Sequence, residues 1–232
     1  NATIFAPHRR NPDQSRIMTE TSLPNRCRIV LIAPPGVDAA RLASAFAGGD
    51  VASLMLPRNG LDDAAFQSLA EAVVPLAQAA GVAAIVEGDT RIAGRVQADG
   101  IHVEAGKAEL AEIIGRFQQK MSVGAGGVKT RDEALELGEE RPVYMFFGRF
   151  GYDTQPEPHP RNLTLGRWWA EMIEIPCIVM AGADLASAST VAATGAEFVA
   201  LSAAVYGEGV DPREAVARAN ALLDETAPRF ED

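Results

Sequence analysis

The chain has 232 residues, of which 47% are hydrophobic, and it carries a formal net charge of −10 at neutral pH. This length is typical of one domain, and the apolar fraction is large enough to fill a substantial core. The acidic balance argues against nucleic-acid binding, because a surface that neutralises phosphates needs clustered lysine and arginine. It leaves a small phosphorylated ligand open, since backbone dipoles and one or two cations can hold such a group.

The sequence also argues against a membrane or secreted protein. It contains no run of about 18 apolar residues, so no transmembrane span is predicted. Its polar start, with Pro7, Pro12 and Pro24, does not resemble a secretory signal. Cys27 directly precedes the first predicted strand and Cys177 lies in the seventh, so both are expected to be buried and reduced. These features favour a cytoplasmic protein.

Residues 1–25 show no hydrophobic periodicity and are rich in polar residues, which predicts a flexible N-terminal extension. Residues 26–232 alternate between strand-like and helix-like patterns, and we interpret them as one domain. Eight apolar runs in this segment have the length of buried parallel strands. They are Arg28–Ala33, Val51–Leu56, Val82–Val86, Gly100–Val103, Ser122–Gly124, Val143–Phe147, Pro176–Met180 and Phe198–Leu201.

The stretches between these runs have helical spacing; Leu69, Val73, Leu76 and Ala80, for example, share one helical face. The repeat of roughly 25 residues is near the minimum for a strand–helix unit with short turns. Eight such units favour a closed (β/α)8 TIM barrel. An open, doubly wound sheet of eight strands is the alternative.

One connection is longer than the others. It runs from Gly148 to Leu165 and carries Pro156, Pro158 and Pro160. Because proline disrupts helix interiors, this whole segment is predicted to be a non-helical loop. A long loop at the carboxyl end of a barrel strand is either a lid over a site or an inert excursion.

The last two strand-like runs are each followed by small residues and then by a helical pattern. Small residues at the carboxyl end of a strand let a ligand approach the backbone, and the start of a helix offers free N–H groups. Two such units in succession predict a phosphate site. Its expected members are Ala181, Gly182, Ala183, Ser202 and Ala203.

Four segments resemble the thiamine phosphate synthase/TenI family in their order and spacing, over about residues 29–210. Ala98–Val103 is similar to A-D-G-V-H-L, and Ser122–Ala134 is similar to G-V-S-x-x-x-x-E-A. Ile175–Gly182 is similar to I-P-…-G-G-I, and Gly195–Ala204 is similar to the family's G-A-D-G-V-A-V-V-S-A-I ending. The resemblance implies a barrel that joins a pyrimidine diphosphate to a thiazole phosphate, so a small phosphorylated heterocycle is the expected partner. It also implies Mg²⁺, which would neutralise the leaving pyrophosphate.

The chain departs from the family at several ligand-binding positions. Arg58 stands where the family has R-x-K, and Gly126 replaces a serine. Arg149 stands about where TenI-type tautomerases carry a histidine, and no lysine follows Asp153-Thr154. These departures keep a second function open, namely a barrel that binds a phosphorylated ligand as a regulator or for another reaction.

Arg58, His102, Gly126 and Arg149 are our candidates for substrate binding, since the resemblance places each near the carboxyl end of a strand. Arg58 either contacts an anionic ligand or is a solvated surface residue. His102 either points into the mouth of the barrel or is a core histidine with its hydrogen bonds satisfied.

Glu87 and Asp89 are candidate Mg²⁺ ligands, because two carboxylates at a strand end suit that ion. Asp89 could instead cap a helix beginning at Thr90. Lys107 stands about where the family has a second metal-binding aspartate, and it would place a fixed positive charge there. The pair Trp168-Trp169 either packs in the core or marks a contact between copies in a homo-oligomer.

Overall fold

The computed structural model describes residues 23–230, and its eight strands are parallel and close into a barrel in sequence order. Each strand pairs with the next, and the eighth pairs with the first. This arrangement confirms the TIM barrel and excludes the open sheet. The strands are β1 Arg28–Ile32, β2 Ser53–Leu56, β3 Ala83–Glu87, β4 Gly100–Val103, β5 Ser122–Ala125, β6 Met145–Phe147, β7 Cys177–Met180 and β8 Phe198–Leu201. Of the flexible extension predicted over residues 1–25, residues 1–22 lie outside the described part.

Helices follow the strands, and several begin at the capping residues that their sequence provides. Asp62 and Asp211 accept hydrogen bonds from the first turns of the helices that begin at Asp63 and Pro212, and Thr130 forms a capping box with Glu133 at the helix that begins at Arg131. The helices are α1 Ala39–Ser44, α2 Asp63–Ala79, α3 Thr90–Val96, α4 Lys107–Phe117, α5 Arg131–Gly138, α6 Pro160–Met172, α7 Ser187–Ala192, α8 Ala203–Tyr206 and α9 Pro212–Thr226.

The prediction of a non-helical segment over 148–165 is wrong from Pro160 onward, because α6 begins there. Proline is tolerated in the first turn of a helix, where its missing N–H has no intrahelical partner to bind. His159 caps this turn, since its Nδ1 accepts the N–H of Arg161 at 3.1 Å. The connection between β6 and α6 is therefore residues 148–159.

Two layers of apolar side chains hold the barrel together. One fills its interior and includes Val30, Ile85 and Ile178; the other lies between the strands and the surrounding helices. Both cysteines are free and buried, as the sequence predicted. Within residues 23–230, no helix is long and apolar enough to cross a membrane.

The two neighbouring tryptophans have different environments. Trp169 is fully buried in the outer layer, as core packing requires. Trp168 is half-buried, and the guanidinium of Arg131 lies 4.9 Å from its ring centroid. A contact between copies of the chain through Trp168 stays a prediction.

The stability of the barrel should depend on the charge of Glu197. Its Oε2 accepts the N–H of Cys177 at 2.9 Å, and burial raises the pKa of its carboxyl. A carboxyl with a raised folded-state pKa stabilises the fold at pH values below its unfolded pKa, and this contribution is lost as the pH rises through the folded pKa. We expect Glu197→Gln, which keeps the accepting oxygen, to remove this loss.

Urea unfolding at pH 5 and pH 8 measures the effect. The free energy of unfolding of Glu197→Gln, relative to that of the unchanged protein, should be larger at pH 8 than at pH 5. A difference between the two proteins that is the same at both pH values would contradict the prediction.

Candidate functional site

Arg58 lies directly after β2 and is held by three carboxylates. Its backbone N–H donates to Glu87 Oε2 at 2.6 Å, its Nη1 to Asp63 Oδ1 at 2.6 Å and its Nη2 to Asp89 Oδ2 at 2.9 Å. The hydrogen bond with Asp63 is the main cause that raises the pKa of the guanidinium and lowers the pKa of that aspartate. An anionic ligand at Arg58 would therefore compete with charges already in contact with it.

Asp89 caps α3, which confirms the capping alternative. Its Oδ1 accepts the N–H groups of Arg91 and Ile92, each at 3.0 Å. Together with the contacts of Arg58, three of the four carboxylate oxygens of Glu87 and Asp89 are engaged. Mg²⁺ needs several available oxygens, so this arrangement does not fit the ion. Among the described residues, no group of three or more His, Cys, Asp or Glu is placed to hold a metal.

The ion pairs of Lys107 lie outside this network. Its Nζ contacts Glu139 and lies 3.7 Å from Glu140, beyond the end of α5. The positive charge that the resemblance placed at the metal site is instead paired with Glu139 and Glu140, which follow α5.

His102 on β4 is buried in an aromatic layer at the mouth of the barrel. Its Nδ1 lies 3.0 Å from the hydroxyl of Tyr144, and the two rings are stacked with centroids 5.8 Å apart. Phe146 and Phe150 contact the imidazole edge-on at 5.5 and 5.3 Å. Nε2 is buried without a hydrogen-bond partner among the described residues, and Glu104 Oε1 lies 3.8 Å away. The burial is that of a core histidine, but within the described part of the chain the hydrogen bonds of the ring are not all satisfied, and a contact with substrate stays a prediction.

Gly126 lies against the same imidazole. A Cβ at this position would be 2.8 Å from both Cε1 and Nε2 of His102, so a larger residue would displace the ring. On its other side, Gly126 lines a cavity of about 390 Å³, with Glu104, Lys107 and Glu133 on its walls. The structure thus brings two of the four predicted substrate-binding residues together beside an open space.

The aromatic residues of this layer were not among the predicted site residues. Tyr144 and Phe146 alternate along the β6 run, and this spacing puts both side chains on the interior face. Burial raises the pKa of the Tyr144 phenol far above its ordinary value, so the hydroxyl stays protonated. The signal was the period of two in the run Val143–Phe147.

Arg149 makes its ring contact with Tyr152 and not with Arg58 or His102. It is exposed after β6, and its guanidinium lies 3.8 Å from the ring centroid of Tyr152, which is itself exposed. This stacking holds the charge at the rim of the barrel.

Residues 148–159, which we call the strap, fold over the predicted phosphate site at the end of β7. The N–H of Ala183 donates to the carbonyl of Gln155 at 2.7 Å, and that of Asp184 donates to Pro156 at 3.2 Å. The N–H of Gly182 donates to Ser187 Oγ at 3.0 Å. The amides that the sequence predicted to be free are therefore already paired within the chain.

The strap also reaches the end of β8. The N–H of Ala203 donates to Asp153 Oδ2 at 2.6 Å, while the carbonyl of Ser202 accepts the N–H groups of Val205 and Tyr206 in the short helix α8. The structure places the two turns of small residues beneath one segment, as a shared site requires. It also pairs the N–H groups of Gly182, Ala183 and Ala203, which would otherwise be open to an anion, within the chain.

Comparison with known proteins places these features in a family. The thiamine monophosphate synthase family model matches residues 29–205. The thiamine-phosphate synthase of Rhodospirillum centenum is 33% identical over 205 residues, which cover 85% of this chain and 98% of that protein. The one from Hyphomonas neptunium is 31% identical over 221 residues, covering 90% and 100%.

A solved structure shares the fold. The thiamine phosphate pyrophosphorylase from Pyrococcus furiosus superposes with a TM-score of 0.73 at 20% identity, covering 87% of this chain and 98% of that one. With the family match over most of the barrel and relatives that align along nearly their whole length, the chain belongs to the thiamine monophosphate synthase family.

Proposed function

We propose that the chain is a transferase of thiamine biosynthesis, which joins a pyrimidine diphosphate to a thiazole phosphate and releases pyrophosphate. The observation that carries this proposal is the family match over residues 29–205. The two turns of small residues at the ends of β7 and β8 support it, because they lie where barrels of this kind bind phosphate.

In this proposal, each candidate residue has a role that follows from its position. Backbone amides of the two turns hold a ligand phosphate once the strap has moved away. Gly126 lines the cavity that would take a heterocycle, and its lack of a side chain leaves the imidazole of His102 in place. Arg58 and Arg149 supply positive charge at opposite parts of the rim. The phosphate-binding members are Ala181, Gly182, Ala183, Ser202 and Ala203.

A Mg²⁺ ion is implied by the family but does not fit Glu87 and Asp89 in this arrangement, so no step is assigned to it. Both carboxylates would become available only if Arg58 left them. Their role as metal ligands stays a prediction that depends on that movement.

Two features make the proposed turnover slow. The guanidinium of Arg58 is paired with Asp63 and Asp89, and the strap covers the amides that would bind phosphate. If the open form is a tenth of the population or less, the apparent affinity falls about tenfold or more. We therefore expect thiamine phosphate to form only at substrate concentrations about tenfold or more above those that an open corner would need.

The experiment incubates the protein with the pyrimidine diphosphate, the thiazole phosphate and Mg²⁺, and measures thiamine phosphate after its oxidation to a fluorescent thiochrome. The Rhodospirillum centenum relative, assayed in parallel, shows that the substrates and conditions are competent. A complete lack of product with this chain, while the relative forms it, would exclude the transferase.

The closed network around Arg58 favours a second candidate function, a barrel that binds a phosphorylated ligand without synthase chemistry. Thermal unfolding in the presence of thiamine phosphate, the thiazole phosphate and sugar phosphates separates the two. Stabilisation without turnover would favour this second function. If the protein shows no stabilisation by any of these ligands and no turnover, both candidate functions are overturned.

A further inference from the structure

The strap is exposed along most of its length, but Asp153 turns inward. Its side chain is buried, at 8% exposure, whereas Tyr152, Thr154 and Gln155 face solvent. Its Oδ2 accepts the N–H of Ala203 at 2.6 Å, a short contact of the kind that an ionised acceptor makes. This contact joins the carboxylate of Asp153 to an amide 50 residues further along the sequence.

This amide belongs to the turn that would bind a ligand phosphate. A carboxylate and a phosphate present the same chemistry to an N–H donor, namely a negatively charged oxygen, so they compete for it. Their like charges also oppose simultaneous binding. We propose that Asp153 is an internal competitor for the ligand phosphate and that it sets the anion affinity of the β7–β8 corner. This inference rests on the proposed function, since it takes that corner as the phosphate site.

The remainder of the strap closes the other half of the corner. The carbonyls of Gln155 and Pro156 accept the N–H groups of Ala183 and Asp184. Gly182 lies so close below that a Cβ on it would be 2.2 Å from the carbonyl oxygen of Pro156. A phosphate cannot enter this space while the strap is in place, so binding requires that the strap leave both turns.

Releasing residues 153–156 from the two turns breaks few interactions, and it does not require Phe150, at the start of the strap, to leave His102 and Phe146. The contacts just described join an exposed segment to two turns, and segments with few buried contacts open at low cost. The affinity measured for a ligand is the intrinsic affinity multiplied by the open fraction. Weakening the hold of Asp153 should therefore increase phosphate affinity without any change in the residues of the corner.

The test compares Asp153→Asn and Asp153→Ala with the unchanged protein by calorimetric titration with inorganic phosphate and with the thiazole phosphate. Asparagine keeps an accepting oxygen and removes the charge, whereas alanine removes both. We expect the dissociation constant for phosphate to fall about tenfold with asparagine and further with alanine. Asp38→Asn is the matched control, because Asp38 caps α1 with an exposed carboxylate and has no hydrogen bond to the corner. It should leave phosphate affinity unchanged.

Amide hydrogen exchange gives a second readout that needs no variant. Phosphate added to the unchanged protein should increase exchange across residues 148–159, because the ligand displaces the strap. Phosphate binding with no change of exchange in the strap would overturn the inference, even if an Asp153 variant failed to fold.

The outcomes separate the inference from the function on which it rests. Equal phosphate affinity in the unchanged protein and in both Asp153 variants overturns the competitor role and leaves the phosphate site in place. An absence of phosphate binding in all of them overturns the phosphate site and the competitor together. Tighter binding in the Asp153 variants, with Asp38→Asn unaffected, supports both.

Discussion

Replacing Trp169 by alanine is expected to destabilise the barrel by about 3–5 kcal/mol, the range for truncating a large buried aromatic residue. Trp169 is fully buried on α6, and its ring meets that of Phe147 on β6 edge-on at 5.7 Å. Its Nε1 donates to the carbonyl of Ile175 at 2.6 Å. Alanine would leave a cavity between helix and strand and an acceptor without its partner, so the two costs add.

Trp168→Ala is the matched control, since it removes the same side chain from the neighbouring position. Trp168 is only half-buried, and its contact with Arg131 lies at the surface. Exposed cation–π contacts contribute about 0.5–1 kcal/mol, so this variant should lose much less stability. Urea unfolding measures both. An equal or larger loss for Trp168→Ala would contradict the assignment of Trp169 to the core.

The strands could be predicted from the sequence because parallel barrel strands are buried on both sides. Each then forms a short continuous apolar run, and every one of the eight predicted runs overlaps a strand, although β3 and β5 each extend one residue beyond the predicted run. Helix starts were equally local: Asp89 caps α3 with its own side chain, two and three residues before the N–H groups it accepts. Local patterns of this kind need no knowledge of distant residues.

The helix start at Pro160 was missed for a different reason. Three prolines in five residues indicate a loop, and that expectation holds for Pro156 and Pro158. The third occupies the first turn of α6, where proline is favoured. A proline in a loop and a proline in the first turn of a helix differ in the residues that follow them. The proline alone does not distinguish the two.

The partners of the candidate site residues could not be predicted. Arg58 is drawn to carboxylates on α2 and after β3, and Asp153 contacts an amide 50 residues away. Such contacts depend on the path of each loop over the barrel, which leaves no periodic signal in the sequence. Arg58 was expected either to bind an anion or to be solvated, and pairing of its guanidinium with two carboxylates was not among those expectations.

At the candidate site, the predicted residues are present, but their hydrogen bonds and charges are already paired within the chain. Small residues suited to binding phosphate are present at the ends of β7 and β8. The N–H groups of Ala183 and Ala203 there already donate to oxygens of the strap. Positive charge is present at Arg58, and carboxylates surround it. In both places the affinity for a ligand depends on what must be displaced as well as on what is offered.

Gly124→Ala is expected to be severely destabilising, by about 3 kcal/mol, as an overpacked core position. Gly124 lies on β5 beneath the phenol of Tyr144, and a Cβ added there would be 2.0–2.4 Å from three atoms of that ring. The ring cannot shift freely, because it stacks on His102 and its hydroxyl contacts the imidazole. One added methyl group would therefore disturb the aromatic layer that closes the mouth of the barrel.

A double-mutant cycle identifies the cause. Tyr144→Ala removes the obstacle, so Gly124→Ala in that background should cost about 1–3 kcal/mol less than in the unchanged protein. Gly115→Ala is the control, since Gly115 is exposed in α4 with nothing within 4 Å of an added Cβ, and alanine there should stabilise the helix by about 0.5–1 kcal/mol. Additive costs at positions 124 and 144 would show that the loss arises elsewhere. Coupled costs would mean that Gly124 is required by the ring that holds His102 in place.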